Sequence, residues 1–283
     1  MSARESGLGL PERNAGAMAD GAILAHMLQA IAATPIRTDP FDHAYVENVF
    51  PEAFYGELDA VFPAPGNDAA AVMTRTADRW AEREGYSERR LTIDTASLPA
   101  ERLKALPPPI RQAHRVMTHP ALAQHLIQHF SSALAPVLHA LLARAGAADG
   151  TGGLDVRRSC EMIYDATGFE LRPHTDGNKK LVTALIYIAG VDAPESLGTH
   201  LYGVRPGVEA PEAVLRGGAY LDWDDAVDHG AVPYRRNCML MFPRTPRSLH
   251  GVPVVGGDYP RRLIQASFLH SGVVREVPES GPA

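Results

Sequence analysis

The chain has 283 residues, which is enough for one large domain or two small ones. Its 27 basic and 33 acidic residues give a formal net charge of −6. The chain therefore lacks the basic excess that is typical of nucleic-acid-binding proteins and of polybasic membrane-surface proteins. No apolar run in the sequence approaches the roughly 18 residues that a membrane span needs. Two cysteines, Cys160 and Cys238, are too few for a disulfide framework or a four-thiolate zinc site, so we expect buried free thiols.

The N-terminal segment divides into a polar tail and an apolar stretch. Residues 1–17 are rich in polar residues, glycine and proline, so we expect them to be disordered. In residues 22–31 the apolar side chains fall on one helical face. The stretch contains His26 and Gln29, and the segment before it contains Glu5, Glu12 and Asp20 and is not the cationic region of a signal sequence. We therefore predict an amphipathic helix packed on the domain rather than a signal sequence, and a cytoplasmic protein.

Residues 18–150 have mainly helical patterns. Residues 40–46 favour a short strand, and residues 51–62 favour a helix because their large apolar side chains recur four positions apart. A further helix is expected to begin at Pro120, since proline suits a first helical turn. We expect Pro136 to kink or break that helix, because proline removes a backbone hydrogen bond.

From about residue 154 the apolar pattern changes to the alternation of strands. The candidate strands are residues 156–164, 181–188, 200–204, 239–242 and 262–269. Turns rich in glycine, proline and aspartate separate them, and this favours an antiparallel sandwich or barrel over a parallel α/β sheet. Residues 205–237 are expected to form a long loop, either functional or mobile.

The predicted fold class is thus α+β, with a single domain over residues 18–275. Within it, residues 18–150 are expected to be mainly helical support. Residues 151–275 are expected to form the β-rich core, a sandwich or barrel, that carries the functional site.

A metal-ligand pattern lies in the β-rich half. His174 and Asp176 are two positions apart in an extended stretch, so both side chains point to the same face. His250 follows a later apolar strand and offers a third ligand. Two histidines and one carboxylate leave other coordination positions open, which suits non-haem Fe(II) and O2 chemistry. In isolation, the His-x-Asp pair is equally consistent with the cap of a turn.

The residues around this trio match a known family. The matching features are Tyr164 ten residues before His174, the pair His174-Thr-Asp176, the strand that ends at Tyr187, the segment Leu197-Gly198-Thr199-His200, and His250 followed by Arg261 and Arg262. On these features, residues 155–270 resemble the Fe(II)/2-oxoglutarate-dependent oxygenases, and most of all their prolyl-4-hydroxylase-like branch.

The resemblance implies a double-stranded β-helix, a jelly-roll barrel with a metal at its open mouth. It implies Fe(II) held by His174, Asp176 and His250, with 2-oxoglutarate as co-substrate and O2 as oxidant. The far carboxylate of 2-oxoglutarate then needs a cation, which is either Arg261 or Arg262. Adjacent strand residues point to opposite faces, and Arg261 shares the more polar face of its strand, so we favour Arg261.

The resemblance also implies that Tyr164 and Tyr187 hydrogen-bond the co-substrate. The alternative is that each is a core tyrosine whose hydroxyl has a local partner. Lys179 and Lys180 flank the metal pair, and the sequence is equally consistent with anion binding and with a surface position for them.

The expected activity is hydroxylation of an unactivated C–H bond of a small molecule, with release of succinate and CO2. An amino acid, a sugar or a biosynthetic intermediate would fit, and no nucleic-acid or membrane partner is expected. Two alternatives stay open. One is a non-catalytic or regulatory metal-binding barrel, and the other is a cupin-type metalloenzyme that does not use 2-oxoglutarate.

Overall fold

A computed structural model describes residues 18–66, 74–75, 89–144 and 152–275. The helices of this part of the chain are α1 (Asp20–Ala33), α2 (Glu52–Ala60), α3 (Ala100–Ala105), α4 (Pro108–Met117), α5 (Pro120–His129), α6 (Ser131–Arg144) and α7 (Glu212–Leu215). The strands are β1 (Ala44–Glu47), β2 (Thr74–Arg75), β3 (Arg90–Asp94), β4 (Gly152–Asp165), β5 (Leu171–His174), β6 (Lys180–Tyr187), β7 (His200–Val204), β8 (Ala226–Ala231), β9 (Cys238–Pro243), β10 (Leu249–Val252) and β11 (Arg261–Arg275).

The strands form two antiparallel sheets. The larger sheet has seven strands in the order β1-β9-β6-β11-β4-β3-β2, and the smaller has four in the order β5-β10-β7-β8. The fold is thus α+β with antiparallel sheets. The N-terminal half contributes more than helical support, because its strands β1, β2 and β3 extend the larger sheet at both edges.

The register of the larger sheet decides which side chains reach the site. Arg261 lies opposite Asp165 at one end of the β4–β11 pair, and Leu269 lies opposite Arg157 further along. Successive side chains in a strand alternate between the two faces. On one face of β11, Ile264 and every second residue from it lie in the core shared with the helices. On the other face, Leu263 and every second residue from it face the smaller sheet.

The first helix confirms the amphipathic prediction. Ile23, Met27 and Ile31 of α1 are fully buried at helical spacing. They belong to the same core as the outer face of the larger sheet. Cys160 and Cys238 are also confirmed as buried and unpaired, and burial raises the pKa of the Cys160 thiol to about 12.

The break expected at Pro136 occurs six residues earlier. Helix α5 begins at Pro120 as predicted, with the side chain of His119 accepting a hydrogen bond from the backbone N–H of Ala121. It ends at a bend of 107° around Phe130, and Pro136 lies inside α6. Because α6 starts anew at Ser131, Pro136 falls in its second turn, where the helix continues despite the one missing N–H.

No single helix among the described residues is long and apolar enough to cross a membrane. Only the bent pair of α5 and α6, taken together, has the length and composition of a membrane span.

All five strands predicted after residue 154 are present: β7 has the predicted ends, and the ends of the other four are shifted. The prediction of a loop over residues 205–237 is wrong in part, because the segment contains α7 and β8. Strand β8 is the edge of the smaller sheet, and four of its six residues are exposed. Because most side chains of β8 are exposed, its residues have no alternating apolar pattern, and the sequence gives no sign of this strand.

Candidate metal centre

The smaller sheet brings the predicted ligands together. His174 at the end of β5 lies directly opposite His250 of β10, and the centroids of their rings are 4.4 Å apart. Asp176 follows β5 by two residues. One ligand atom from each of the three side chains lies within 4.8 Å of those of the other two.

Both imidazoles are held with one nitrogen directed to the centre. The Nδ1 atom of His174 lies 2.9 Å from the carbonyl oxygen of Arg172, and that of His250 lies 3.0 Å from the carbonyl oxygen of Ser248. A carbonyl oxygen only accepts, so each Nδ1 carries the hydrogen and each Nε2 keeps its lone pair.

Both imidazoles are also neutral. Burial, together with the neighbouring ring of His250, lowers the pKa of His174 to about 3. Burial likewise lowers the pKa of His250. A neutral imidazole with a free Nε2 is the form that binds a metal ion.

The carboxylate of Asp176 has a donor on each oxygen. Lys180 Nζ lies 2.6 Å from Oδ1, and the Thr183 hydroxyl donates to Oδ2 at 2.5 Å. Burial by itself raises the pKa of Asp176, but the charge of Lys180 and its hydrogen bond act against burial, and the pKa lies below its usual range. The centre therefore offers two neutral nitrogens and one ionised carboxylate, a donor set that fits Fe(II).

The backbone around Asp176 is fixed as well. Arg244 donates from Nε to the carbonyl oxygen of Asp176 at 3.0 Å, and from Nη2 to that of Leu215 at 2.6 Å. Gly217 packs against the same carbonyl, where a Cβ atom would lie 2.1 Å from the oxygen, and its φ of +74° also favours glycine. Sequence reasoning missed both residues, although the Gly217-Gly218 pair hinted at a close approach.

A small inner cavity of about 90 Å³ opens beside the trio. Its lining includes Arg261, whose side chain is 1% exposed. The Arg261 guanidinium donates to the carbonyl oxygen of Leu197 at 2.8 Å, to the Thr199 hydroxyl at 2.8 Å and to Asp165 at 2.9 Å. Arg261 thus lies on the side of the sheet that faces the trio, as predicted.

A second arginine joins this cluster. Asp165 is fully buried and also accepts two hydrogen bonds from Arg90, at 2.6 and 2.9 Å. Arg90, Asp165 and Arg261 lie opposite one another on the neighbouring strands β3, β4 and β11. The sequence did not indicate this cluster, because its members are 75 and 96 residues apart.

Arg262 points to the opposite face of the sheet. It donates to Asp59 of α2 at 2.8 Å, and its Cζ atom lies 6.0 Å from the ring centroid of Phe62. Tyr164 is the cross-strand partner of Arg262, so it shares that face. Among the described residues, Tyr164 lines neither of the cavities at the trio, and its contact with a co-substrate stays a prediction without structural support.

Tyr187 lies on the same side as Arg261. It is fully buried, and its hydroxyl accepts a hydrogen bond from the backbone N–H of Thr199 at 3.1 Å. The Cζ atom of Arg261 is 5.8 Å from its ring centroid. Tyr187 therefore supports the wall of the inner cavity that Thr199 and Arg261 form.

A wider outer cavity of about 470 Å³ adjoins the inner one. The two cavities share Arg90, His174, Asp176, Lys180 and Gln265, and β4, β11 and the loop after Asp176 line the outer one further. Tyr220 reaches it from the 205–237 segment, with its ring 5.4 Å from that of His174. All three residues of the trio therefore line the small cavity that contains Arg261, and two of them, His174 and Asp176, also line the larger one.

Comparison with known proteins gives distant structural matches but no matching sequence. No protein-family model and no curated protein sequence matches the chain. Among solved structures, the chain is similar to the non-haem α-ketoglutarate-dependent epimerase SnoN from nogalamycin biosynthesis, at 14% identity over 93% of this chain and 90% of that one, with a TM-score of 0.44. It is also similar to a Pseudomonas putida prolyl-4-hydroxylase, at 15% identity over 87% and 98%, with a TM-score of 0.49.

A third similar structure is HygX from Streptomyces hygroscopicus with nickel and 2-oxoglutarate bound. It is 15% identical over 81% of this chain and 83% of that one, with a TM-score of 0.41. At these identities the likeness concerns the fold. The roles of individual residues rest on the geometry of the trio and its cavities.

Proposed function

We propose that the chain is an Fe(II)- and 2-oxoglutarate-dependent oxygenase that hydroxylates a C–H bond of a small molecule. One observation carries the proposal: His174, Asp176 and His250 converge in an inner cavity that contains Arg261, and this cavity adjoins an outer cavity of substrate size. The two antiparallel sheets around the trio would be the halves of a double-stranded β-helix.

The trio would hold the iron. Fixed tautomers and an ionised carboxylate mean that the three donors need little rearrangement to bind a divalent cation. With Fe(II) and 2-oxoglutarate bound, the site would supply O2 activation, in which one oxygen atom enters succinate as CO2 is lost and the other enters the substrate C–H bond.

Arg261 would bind the far carboxylate of 2-oxoglutarate. Its Nη1 and Nη2 atoms each donate one hydrogen bond within the cluster, so each keeps a second N–H that no described residue accepts. The Thr199 hydroxyl accepts from Arg261 and keeps its own proton to donate. A carboxylate between these groups would receive charge-assisted hydrogen bonds. Tyr187 would act by positioning Thr199.

The test is an anaerobic titration of the protein with Fe(II) and 2-oxoglutarate, followed through the weak visible charge-transfer band that a keto acid chelated to Fe(II) gives. We expect the band in the wild type and in Arg262→Gln. In Arg261→Gln we expect it only at much higher 2-oxoglutarate concentrations. Arg262 is the matched control, because it is the next residue in β11 and faces away from the cavity.

Arg261→Gln leaves Asp165 with one fewer partner, so a thermal melt must first show that the variant is folded. Thr199→Val serves as a second variant that leaves the buried charges intact. If iron binds without the band, the chain does not chelate 2-oxoglutarate, and the cupin-type or non-catalytic alternative replaces the proposal. If the band forms, succinate release and a product heavier by one oxygen atom test hydroxylation itself.

A further inference from the structure

The outer cavity suggests a chemical class of substrate, and this inference rests on the proposed function. We propose that the substrate carries an anionic group, a carboxylate or a phosphate, which Arg157 and Lys179 bind at the outer end of the cavity. Ser159 and Ser267 would hydrogen-bond the part of the substrate nearer to Asp176.

The strand register places these residues in two adjacent rows. Ser159, Ser267 and Thr183 lie opposite one another on β4, β11 and β6, and Thr183 donates to Asp176. Two residues away along β4 and β11, on the same face, Arg157 lies opposite Leu269. Leu269 in turn lies opposite Lys180 of β6. Two residues along a strand span roughly 7 Å, and two strand spacings span about 10 Å. The row of Arg157, Leu269 and Lys180, here called the basic row, is thus next to the serine row, and Lys180 is the member of it that reaches Asp176.

Arg157 and Lys179 are free to bind a ligand. Both side chains are exposed and line the outer cavity, and neither forms a hydrogen bond or ion pair with any described residue. The backbone carbonyl of Lys179 accepts a hydrogen bond from His270 of β11 at 2.9 Å, so its loop is tied to the sheet near Leu269. Two unpaired cations at one end of a cavity, in a chain of net charge −6, favour an anion there.

The acidic residues of the cavity are engaged elsewhere. Glu161 accepts a hydrogen bond from Gln265 at 3.1 Å. Asp94 accepts from the Ser97 hydroxyl at 2.6 Å and from the N–H of Ala96 at 3.2 Å. Asp176 belongs to the metal centre. None of these carboxylates forms an ion pair with Arg157 or Lys179 in the described part of the chain, so the two cations keep their charges available to a ligand.

The serine row adds hydrogen-bonding capacity between the metal centre and the basic row. Ser267 is 3% exposed and lines the cavity, and its hydroxyl has no partner among the described residues. The hydroxyl of Ser159, opposite it on β4, is likewise unpartnered within the described chain. Neither hydroxyl is sealed inside the protein, since both serines line the cavity, so both can hydrogen-bond a polar substrate there.

The experiment measures anion binding directly. Acetate and methyl phosphate are titrated by isothermal calorimetry into the full chain, first alone and then anaerobically with saturating Fe(II) and 2-oxoglutarate. We expect one probe to bind, with its Kd raised about fivefold in Arg157→Gln and in Lys179→Gln. In the double variant we expect an increase of more than about tenfold. The probe that binds more tightly identifies a carboxylate or a phosphate as the preferred group.

Two control variants remove a positive charge elsewhere. Arg158→Gln changes the next residue of β4, which faces the opposite side of the sheet and donates to the carbonyl of Val156. Lys104→Gln changes an exposed lysine of α3, whose side chain pairs with Glu101. Both should bind the probe as the wild type does.

The inference is overturned if neither probe binds the wild type, or if the double variant binds as tightly as the wild type. The charge-transfer band separates this failure from that of the proposed function, because Arg157 and Lys179 lie outside the inner cavity. A band with unchanged probe binding refutes the anion site alone. Probe binding that is lost in the double variant, in a chain that gives no band, refutes the oxygenase and leaves the anion site standing.

Discussion

At the scale of single residues, the metal centre depends on how its ligands are oriented before any ion arrives. Each histidine is fixed through Nδ1 by a backbone carbonyl, and the carboxylate of Asp176 is fixed through both oxygens. Lys180 and Thr183 differ in kind, since one brings a charge and the other a neutral donor. The neutral donor is the cleaner probe of orientation, because its removal leaves the local charge unchanged.

Thr183→Val tests this orientation. Valine has nearly the shape of threonine but no hydroxyl, so Oδ2 of Asp176 loses its hydrogen-bond donor while the buried strand β6 stays packed. Removal of such an outer partner typically costs metal affinity about 10- to 100-fold. We expect a loss of that size in Fe(II) affinity, measured by anaerobic calorimetric titration.

Thr183→Ser is the matched control, because it keeps the hydroxyl and removes only a methyl group. Its Fe(II) affinity should stay within a few-fold of that of the wild type. Equal affinities in Thr183→Val and the wild type would mean that Lys180 alone orients the carboxylate.

At the scale of elements, strand register and one loop contact place the ligands. The pairing of β5 with β10 sets the two histidines side by side, and the segment that contains α7 presses on the backbone after β5. Gly217 makes that contact at the carbonyl of Asp176. The position needs both a left-handed backbone and the absence of a side chain.

Gly217→Ala should therefore damage the metal centre as well as the stability of the protein. A left-handed alanine costs about 1–2 kcal/mol, and its Cβ atom would also have to displace the Asp176 carbonyl. We expect a lower melting temperature and a clearly weaker affinity for Fe(II). Gly207→Ala separates the two effects, because Gly207 has a φ of +84° but nothing within 4 Å of its Cβ position. The control should lose stability and keep its Fe(II) affinity, and a Gly217→Ala variant with normal affinity would contradict the role of this contact.

The elements also show what the sequence could predict. Strands β4, β6, β9 and β11 are runs of six or more residues, long enough to be recognised, and the spacing of His174 and Asp176 indicated their shared face. Strands β5 and β10 have only four residues each, which is too short for a sequence pattern to indicate a strand. The partners Thr199, Asp165 and Arg90 come from distant positions, and only the folded register shows that they meet Arg261.

At the scale of the whole molecule, Asp165 connects the two halves of the chain. It lies on β4, accepts from Arg90 of the N-terminal half and accepts from Arg261 near the C-terminal end of the described chain. All three side chains are nearly or fully buried. A buried cluster of this kind is costly to disrupt, because loss of one partner leaves charge without compensation.

Asp165→Asn should destabilise the protein by about 3–5 kcal/mol, since asparagine keeps the shape and removes the charge that both guanidinium groups need. The free energy of unfolding, measured in urea, checks this value. Asp59→Asn is the matched control, because Asp59 also accepts from two arginines, Arg236 and Arg262, but its side chain is 21% exposed. Solvent screens that pair of contacts, so we expect a loss of no more than about 1 kcal/mol. Equal losses in the two variants would show that burial adds nothing to the Asp165 cluster, and the link between the halves would then rest on the apolar core alone.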